Sequence, residues 1–384
     1  MPWDERTRMD QRVRFIGALE SSAFTMTELC HEFRISRKTG YKWARRYSEE
    51  GLDGLKDRSR APKSCSHRTT SQYEQALVDE RRKHPLWGPR KLLVVLRRRH
   101  PEWSLPAPST AGEILKRHSL VEPRRRRRRH PPPAKPVIEA RQPNDVWTGD
   151  FKGEFRMGDR RLCYPLTVAD RMSRYLLGCE GKSSVAISGA RPEFERLFAE
   201  YGLPSKILTD GGSPFAAACS PRRLSRLSVW WIRLGIEPVL IEPGHPEQNG
   251  CHERMHRTLK AATARPPASC MRAQQRVFNR FRKEYNDERP HESLSMRPPA
   301  ELYIPSERPY PPKTPAVEYP GHYEVRRVRA NGDISWRSRL LFISETLGGE
   351  DVGLEETDED LWSLYFGPIL LGRYHERDQS LQLL

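Results

Sequence analysis

The sequence of 384 residues lacks paired cysteine motifs and long apolar runs. Its seven cysteines include no CxxC pair and are odd in number, which argues against a cysteine-rich zinc site and a disulfide framework. No stretch of 18 apolar residues occurs, so the sequence predicts no membrane span. The first residues, MPWDERTRMD, lack the apolar segment of a secretory signal. We therefore expect a soluble intracellular protein.

Basic residues are absent from one stretch and concentrated in another. Residues 340–372 contain no Lys or Arg and eight acidic residues, whereas residues 1–130 contain 31 Lys and Arg against 16 Asp and Glu. The whole chain carries a formal charge of +17. Such a field attracts polyanions, of which nucleic acid is the commonest. Nucleic-acid binding is therefore expected towards the N-terminal side.

Residues 1–58 have the pattern of a helix-turn-helix DNA-binding domain. Apolar spacing predicts a helix over 9–21, a second helix capped by Thr27, and a third helix that Ser36 caps and that runs through residue 47. The alternative is a small helical bundle with a solvated basic face. DNA binding is favoured because of the charge concentration. The predicted contacts are the basic residues on the outer face of the third helix: Arg37, Lys38, Lys42 and Arg45.

Residues 69–122 predict a second module of the same kind. Helices are expected over 73–82, from Gly88-Pro89 onwards, and after a cap at Ser109, with Lys116 and Arg117 exposed as DNA-binding candidates. Residues 123–141 contain six consecutive Arg and three consecutive Pro, which predicts an extended linker. It serves as a solubilising hinge, as a phosphate clamp, or as both.

Two further domains are predicted, with different sequence patterns, over residues 142–305 and 318–376. In the first, three short apolar runs in series precede runs that alternate with helical patterns, which indicates a mixed α/β sheet. The predicted strands are 146–151, 162–169, 175–179, 206–209 and 237–241. In the second, five short strands indicate a small all-β barrel, with a hairpin at Asn331-Gly332. The chain is thus predicted to be multidomain.

Three carboxylates in the α/β region are candidates for metal chemistry. Asp150 lies near the end of the first predicted strand, Asp210 directly follows the fourth, and Glu253 lies on a predicted helix. Three converging carboxylates repel one another unless a cation is present, and two Mg²⁺ or Mn²⁺ ions suit phosphodiester transfer. Sequence pattern alone leaves open the alternative that these acids are turn or capping residues. The face of Glu253 also carries predicted DNA contacts: Asn249, Arg257 and Lys260.

Five motifs in unbroken order resemble the core of the DDE superfamily, that is, retroviral-type integrases and insertion-sequence transposases. They are WTGDFKG, YPLTVADRMSRY, TDGGSPF, GHPEQNGCHERMHRTLK and NDERPHESLSMRPPAELY, and they span about residues 145–303. The resemblance implies a ribonuclease-H-like fold in which Asp150, Asp210 and Glu253 form the catalytic, metal-binding triad. Helix-turn-helix modules before the core and a small barrel after it also resemble bacterial members of this group.

The sequence departs from the family pattern at two places. Gly211 stands where the family usually has Asn, so a hydrogen-bonding group is lost beside Asp210. Between Asp210 and Glu253 lie 42 residues, whereas many members have roughly 35; the surplus is assigned to the loop 216–226.

Histidines near Glu253 raise the alternative of a zinc site. They are His245, His252 and His256, with Cys251 between them. No four-ligand spacing is completed, so packed or solvated histidines are the preferred interpretation.

The resemblance implies a bacterial transposase that binds double-stranded DNA, both element ends and target, as a homo-oligomer. It is expected to act in the cytoplasm, at the nucleoid. It would hydrolyse a phosphodiester at the element end and then transfer the freed 3′-hydroxyl to target DNA, with no covalent enzyme intermediate. Two alternatives remain: a catalytically idle DNA-binding regulator derived from a transposase, and a ribonuclease-H-type nuclease acting on RNA–DNA hybrids.

Overall fold

A computed structural model describes residues 7–58, 69–121, 138–151, 153–242 and 245–384, apart from the side chains of residues 246 and 247. Residues 123–137 of the predicted linker lie outside these ranges. The chain divides into two compact units, Met1–Arg68 and Thr69–Leu384. None of the described helices is both long and apolar enough to cross a lipid bilayer.

The first unit is a bundle of three helices with a short 3₁₀ turn after them. The helices are α1 (Arg8–Glu20), α2 (Met26–Glu32) and α3 (Arg37–Glu50). Phe15, Leu29 and Trp43 are buried between them. Gly40 permits the close approach of α2 and α3, because a Cβ there would lie 2.6 Å from the Cys30 Sγ.

The start of α2 differs from the sequence prediction, whereas the start of α3 agrees with it. Thr27 was predicted to cap α2 but lies inside the helix, and Thr25 is the cap. The Glu28 carboxylate accepts a hydrogen bond from the Thr25 backbone N–H at 2.7 Å, and the Thr25 hydroxyl accepts one from the Glu28 N–H. This reciprocal capping box selects Thr25. Ser36 caps α3 as predicted, and that helix continues three residues beyond residue 47.

The second unit begins with another three-helix module, formed by α4 (Ser71–Lys83), α5 (Pro89–Arg99) and α6 (Pro108–Arg117). Trp87, Leu92 and Ile114 are buried at its centre. Ser109 was predicted to cap the last helix, but Ala107 occupies the cap position. Pro108 explains the shift, since its fixed φ suits the first helical position.

The central region of the second unit is a mixed sheet covered by helices on both faces. Within the described residues the strand order is β2-β3-β1-β5-β6, with β4 paired to β3. The pairs β1–β3 and β3–β4 are antiparallel, while β1–β5 and β5–β6 are parallel. The strands are β1 (Val146–Phe151), β2 (Phe155–Arg156), β3 (Leu162–Asp170), β4 (Leu176–Lys182), β5 (Lys206–Thr209) and β6 (Glu237–Leu240).

Each face of this sheet packs on a different pair of helices. One face buries Trp147 and Ile207 against Phe194 and Trp231 of α7 and α8. The other buries Cys179 among apolar side chains of α9 and α10. The helices are α7 (Ile187–Tyr201), α8 (Arg226–Arg233), α9 (Gly250–Thr263) and α10 (Met271–Lys283).

The remainder of the second unit is all-β. A five-stranded antiparallel sheet has the order β13-β12-β11-β10-β7, and a separate hairpin pairs β8 with β9. Within the described residues the first and last strands of the five-stranded sheet are not paired with each other, so closure into the barrel stays a prediction. The strands are β7 (Glu324–Arg327), β8 (Asp333–Trp336), β9 (Arg339–Phe342), β10 (Asp351–Asp358), β11 (Leu361–Phe366), β12 (Ile369–His375) and β13 (Ser380–Leu383).

The predicted hairpin at Asn331-Gly332 is a turn, but the strands it joins have other partners. The Arg329 N–H donates to the Asp333 carbonyl at 2.8 Å across this turn, yet β7 pairs with β10 and β8 pairs with β9. The β8–β9 turn uses Arg337 and Ser338 at φ of 44° and 62°. Neither residue type signals such a turn in a sequence.

Candidate active site

Asp150 and Asp210 lie at the same edge of the mixed sheet. Strands β1 and β5 are parallel neighbours with Gly149 opposite Thr209, so each acid comes next at the carboxyl end of its strand. Neighbouring strands lie about 4.8 Å apart, and residues in the same register point to the same face. The Asp150 side chain is 21% exposed, and Asp210 is exposed. The backbone therefore presents two carboxylates side by side.

Helix α9 contacts this edge through His256. The His256 Nδ1 lies 3.5 Å from the Asp150 Oδ2. Glu253 precedes His256 by one helical turn and is exposed on the neighbouring flank of α9. The third predicted acid thus lies on the helix that contacts the first. Among the described residues, the metal-binding side chains whose ligand atoms all lie within 4.8 Å of one another are Asp150, His252 and His256; the three acids do not form such a tight group.

Buried histidines and threonines connect α9 to the sheet. The Thr167 Oγ1 lies 2.7 Å from the His252 Nε2 and 2.6 Å from the His256 Nε2. The Thr148 Oγ1 lies 2.8 Å from the His252 Nδ1. Burial, and secondarily the charge of Arg171, lowers the pKa of His252 to about 3, so this imidazole is neutral at pH 7.

With neutral histidines, one order of protons places an N–H opposite the Asp150 carboxylate, at the expense of the hydrogen bonds that the Thr148 and Thr167 hydroxyls can otherwise donate to the Ala169 and Asp150 carbonyls. The Thr148 hydroxyl donates to the His252 Nδ1, the His252 Nε2–H donates to Thr167, and the Thr167 hydroxyl donates to the His256 Nε2. The His256 Nδ1–H then faces the Asp150 carboxylate. The opposite order would point a nitrogen lone pair at that carboxylate. We infer that the chain of hydroxyls and imidazoles orients Asp150.

The donor atoms at this edge fit a hard divalent cation. Mg²⁺ and Mn²⁺ favour oxygen ligands, and Asp150, Asp210 and Glu253 supply carboxylates that solvent reaches. The nitrogens of His252 and the Nε2 of His256 are instead engaged by threonine hydroxyls. This supports the interpretation of packed histidines over a zinc site. Asn249 is buried at the start of α9, and its Oδ1 has no partner among the described groups.

The two departures from the family pattern meet beside Asp210. The Arg223 Nη2 donates to the Gly211 carbonyl at 2.8 Å, and a Cβ at Gly211 would lie 2.6 Å from that nitrogen. Arg223 belongs to the loop to which the surplus residues were assigned. The loop thus sends a guanidinium into the space that a side chain at position 211 would need. Sequence analysis missed Arg223, although both departures flank the same acid.

The loop of Arg223 is also tied to the C-terminal sheet. The Arg222 backbone N–H donates to the Leu384 carbonyl at 2.6 Å, and its Nε donates to the Leu370 carbonyl at 3.1 Å. Arg222 and Arg223 both adopt positive φ, at 52° and 56°. Non-glycine residues in this region occupy a strained conformation, and these backbone and side-chain bonds offset the strain.

The predicted DNA-contacting residues are exposed except for one. Asn249 is only 4% exposed and is placed on the 3₁₀ turn before α9 rather than on the predicted helix. On α6, Lys116 and Arg117 approach Glu113 and Glu74 at 3.9 and 3.6 Å. The exposed residues are Arg37, Lys38, Lys42, Arg45, Lys116, Arg117, Arg257 and Lys260.

Replacing Thr167 with Val should destabilise the second unit. The substitution keeps the shape but leaves the nitrogens of two buried imidazoles without their shared partner, at a cost of about 1–3 kcal/mol for each unsatisfied group. Urea unfolding of Thr167→Val measures the change. Thr258→Val on α9 is the control, because among the described residues the Thr258 hydroxyl bonds the helix carbonyl of Arg254 within its own helix. Equal stability of the two variants would contradict the hydroxyl–imidazole chain.

Restoring the family residue with Gly211→Asn should destabilise the loop beside Asp210. The new Cβ meets the Arg223 guanidinium, so the hydrogen bond to the Gly211 carbonyl must break, at about 0.5–1.5 kcal/mol. In an Arg223→Ala background the same substitution should cost less, because its obstacle is gone. Thermal unfolding of the four proteins of this double-mutant cycle gives the coupling. Additive effects would show that Arg223 does not limit position 211.

Comparison with known protein families matches both parts of this architecture. Two models described as integrase core domain match residues 140–246 and 234–299, which include the three acids. A helix-turn-helix domain model matches residues 11–63, and a homeodomain-like domain model matches residues 39–115.

The curated relatives are proteins of insertion elements. An uncharacterized 39.2 kDa protein of insertion element IS476 from Xanthomonas euvesicatoria is 28% identical over 237 residues, which is 61% of this chain and 65% of that protein. An uncharacterized 31.7 kDa protein of insertion element IS407 from Burkholderia multivorans is 28% identical over 165 residues, which is 42% of this chain and 55% of that protein. The chain thus spans less than two thirds of the length of either relative.

Two solved retroviral structures have low overall similarity to this chain. The catalytic core domain of the HTLV-2 integrase, in complex with magnesium, is 15% identical, covers 43% of this chain and 100% of its own, and has a TM-score of 0.35. The simian T-cell lymphotropic virus intasome, in complex with a PP2A regulatory subunit, is 18% identical, covers 77% of this chain and 97% of its own, and has a TM-score of 0.38. The family matches, rather than these structures, confirm the predicted resemblance: parts of the chain match helix-turn-helix and integrase core domain models, and its curated relatives are insertion-element proteins.

Proposed function

We propose that this chain is an insertion-element transposase that cleaves DNA at the element end and joins it to target DNA. The observation that carries the proposal is the parallel pairing of β1 with β5, which sets Asp150 beside Asp210, together with the contact of Asp150 with the helix of Glu253. The element-end and target duplexes are the substrates. A homo-oligomer holds two ends, in a bacterial cytoplasm at the nucleoid.

Asp150, Asp210 and Glu253 would hold two Mg²⁺ or Mn²⁺ ions. When bound, such ions activate a water molecule or a DNA 3′-hydroxyl and neutralise charge on the leaving oxygen. The protein's own contribution is orientation: His256 holds the Asp150 carboxylate, and Arg223 holds the turn after Asp210. In cleavage, the water oxygen bonds to phosphorus and the 3′ oxygen leaves. In joining, that 3′-hydroxyl displaces an oxygen of a target phosphodiester.

Charge and shape assign DNA recognition to the helical modules. The outer face of α3 exposes Arg37 and Lys38, which form no ion pair within the described part of the chain, and α3 occupies the position of a recognition helix. The C-terminal strands are proposed to form the small barrel of the family, with β8 of the hairpin packed beside β7.

Replacing each acid of the triad should abolish strand cleavage. Asp150→Asn, Asp210→Asn and Glu253→Gln each remove the negative charge that a divalent ion requires, so the rate should fall by about three orders of magnitude or more. The assay measures nicking and joining of duplexes that carry the terminal inverted repeats flanking the gene, in Mg²⁺ and in Mn²⁺. Glu237→Gln is the control, because Glu237 is an exposed acid at the opposite end of the same sheet.

The same assay separates the alternatives. Salt-sensitive DNA binding by the wild-type protein with no metal-dependent nicking would identify an idle regulator. Cleavage confined to RNA–DNA hybrids would identify a ribonuclease-H-type nuclease. An Asp150→Asn protein that still cut and joined element ends would contradict the assigned triad.

Removing charge from α3 should weaken DNA binding in a salt-dependent way. Each lost phosphate contact reduces the slope of log K against log salt concentration by about 0.9, so Arg37→Gln with Lys38→Gln should lower both affinity and slope. Fluorescence anisotropy with labelled duplex at several salt concentrations measures both. Arg8→Gln on the exposed surface of α1 is the matched control. A slope unchanged from wild type would remove this face from the DNA interface.

A further inference from the structure

A pocket of about 250 Å³ lies in the second unit where the helical module meets the integrase core domain. It is bounded by the start of α5, by one flank of α9 and by the segment after α10. Among the described residues Glu292 is the lining carboxylate, and Tyr285 contributes an aromatic wall. Its cationic lining residues are Lys91, Arg174, Arg254, Arg257 and Arg289.

None of these five cations forms an ion pair with a carboxylate in the described part of the chain. Burial, followed by the charge of Arg289, lowers the pKa of Lys91 to about 8. Like charges at close range repel, and partial burial strengthens that repulsion because water screens it less. The pocket therefore concentrates more positive charge than its lining carboxylate, Glu292, can offset.

One wall of the pocket is held before any ligand enters. The Arg289 guanidinium lies 5.8 Å from the centre of the Tyr285 ring, and Tyr285 is buried. Lys91 is half-buried at the start of α5. Fixed arginine side chains suit a tetrahedral oxyanion, because their planar forks donate several hydrogen bonds in set directions.

The pocket is centred on a different flank of α9 from the catalytic acid, although one lining residue, Arg257, shares the face of Glu253. Cys251, Arg254 and Thr258 face the pocket, at helical spacings of three and four residues. Glu253 is rotated by about 100° around the helix axis from Arg254, the residue of this stripe that follows it in the sequence. An anion in the pocket would therefore lie at a position that none of the three acids lines.

We propose that this pocket binds a backbone phosphate of DNA, anchoring the strand to α5 and to α9 at once. The assignment rests on the proposed function, because it takes the bound polyanion to be the DNA on which the core acts. The volume is large enough for a phosphate group, and the net charge of the lining favours an anion over an apolar or cationic ligand. The pocket is thus a non-catalytic strand anchor next to the active-site helix.

Cys251 provides a local probe of occupancy. Its thiol lines the pocket and is partly exposed, whereas Cys219 and Cys270 are exposed elsewhere. The full chain is treated with N-ethylmaleimide in EDTA, with and without a random-sequence DNA duplex, and each cysteine is followed by mass spectrometry. DNA should slow alkylation of Cys251 by about tenfold, as expected for a site about 90% occupied, and should leave the other two rates unchanged.

Charge-removing variants test whether the lining causes the protection. Arg254→Gln, an exposed position on α9, should reduce the protection of Cys251 and lower the salt slope of DNA affinity by about 0.9. Arg254→Lys should retain much of both effects. Lys91→Gln, at the start of α5 on the opposite side of the pocket from Arg254, should have the same two effects. Arg276→Gln on the exposed surface of α10 is the matched control and should behave as wild type.

Each remaining outcome overturns the proposal. Protection by millimolar inorganic phosphate but not by DNA would assign the pocket to a free anion. Equal protection in wild type and Arg254→Gln would show that DNA covers Cys251 without using the pocket, and no protection would show that DNA does not reach it. EDTA prevents metal-dependent cleavage, so an enzyme that proves inactive still gives a readable result.

Discussion

The contact between His256 and Asp150 holds together the two parts of the candidate site. Asp150 and Asp210 are placed by strand pairing, a local and rigid arrangement. Glu253 lies on a helix and is separated from Asp210 by 42 residues of chain, so only packing can fix its position. The hydrogen bonds of Thr148 and Thr167 to the histidines of α9 fix the orientation of that helix on the sheet. Hydroxyl and imidazole groups buried in this way specify one arrangement, since a shifted helix would leave them unsatisfied.

Elements defined by short-range pattern were predicted most accurately from the sequence. Strands β1 and β5 have the bounds that their apolar runs predict, because polar or turn-forming residues bracket them. Thr27 and Ser109 were wrong as caps, since a cap depends on a neighbour three residues away and on proline, and nearby Thr and Ser residues compete. The β8–β9 turn was missed because Arg337 and Ser338 carry no turn signal.

The site itself was predicted in part. The positions of Asp150 and Asp210 at adjacent strand ends follow from predicted strands once the sheet order is known. The hydrogen bonds of His252 cannot be read from sequence, because its partners lie 85 and 104 residues away. Asn249 shares a predicted helical face with Glu253, yet the chain adopts a 3₁₀ turn there and buries the amide. Arg289 lies far from the other basic residues of its pocket in sequence, so only the fold reveals their convergence.

The bonds from Arg222 to Leu370 and Leu384 give the C-terminal sheet a mechanical role. Arg223, the next residue, is bonded to the turn that follows Asp210. A single peptide unit therefore separates an anchor in the sheet from a support of the second acid. Any tilt of β12 and β13 must be absorbed within that unit or transmitted to the carboxylate. The all-β region thereby supports the turn after Asp210, and its position determines how rigidly that turn is held.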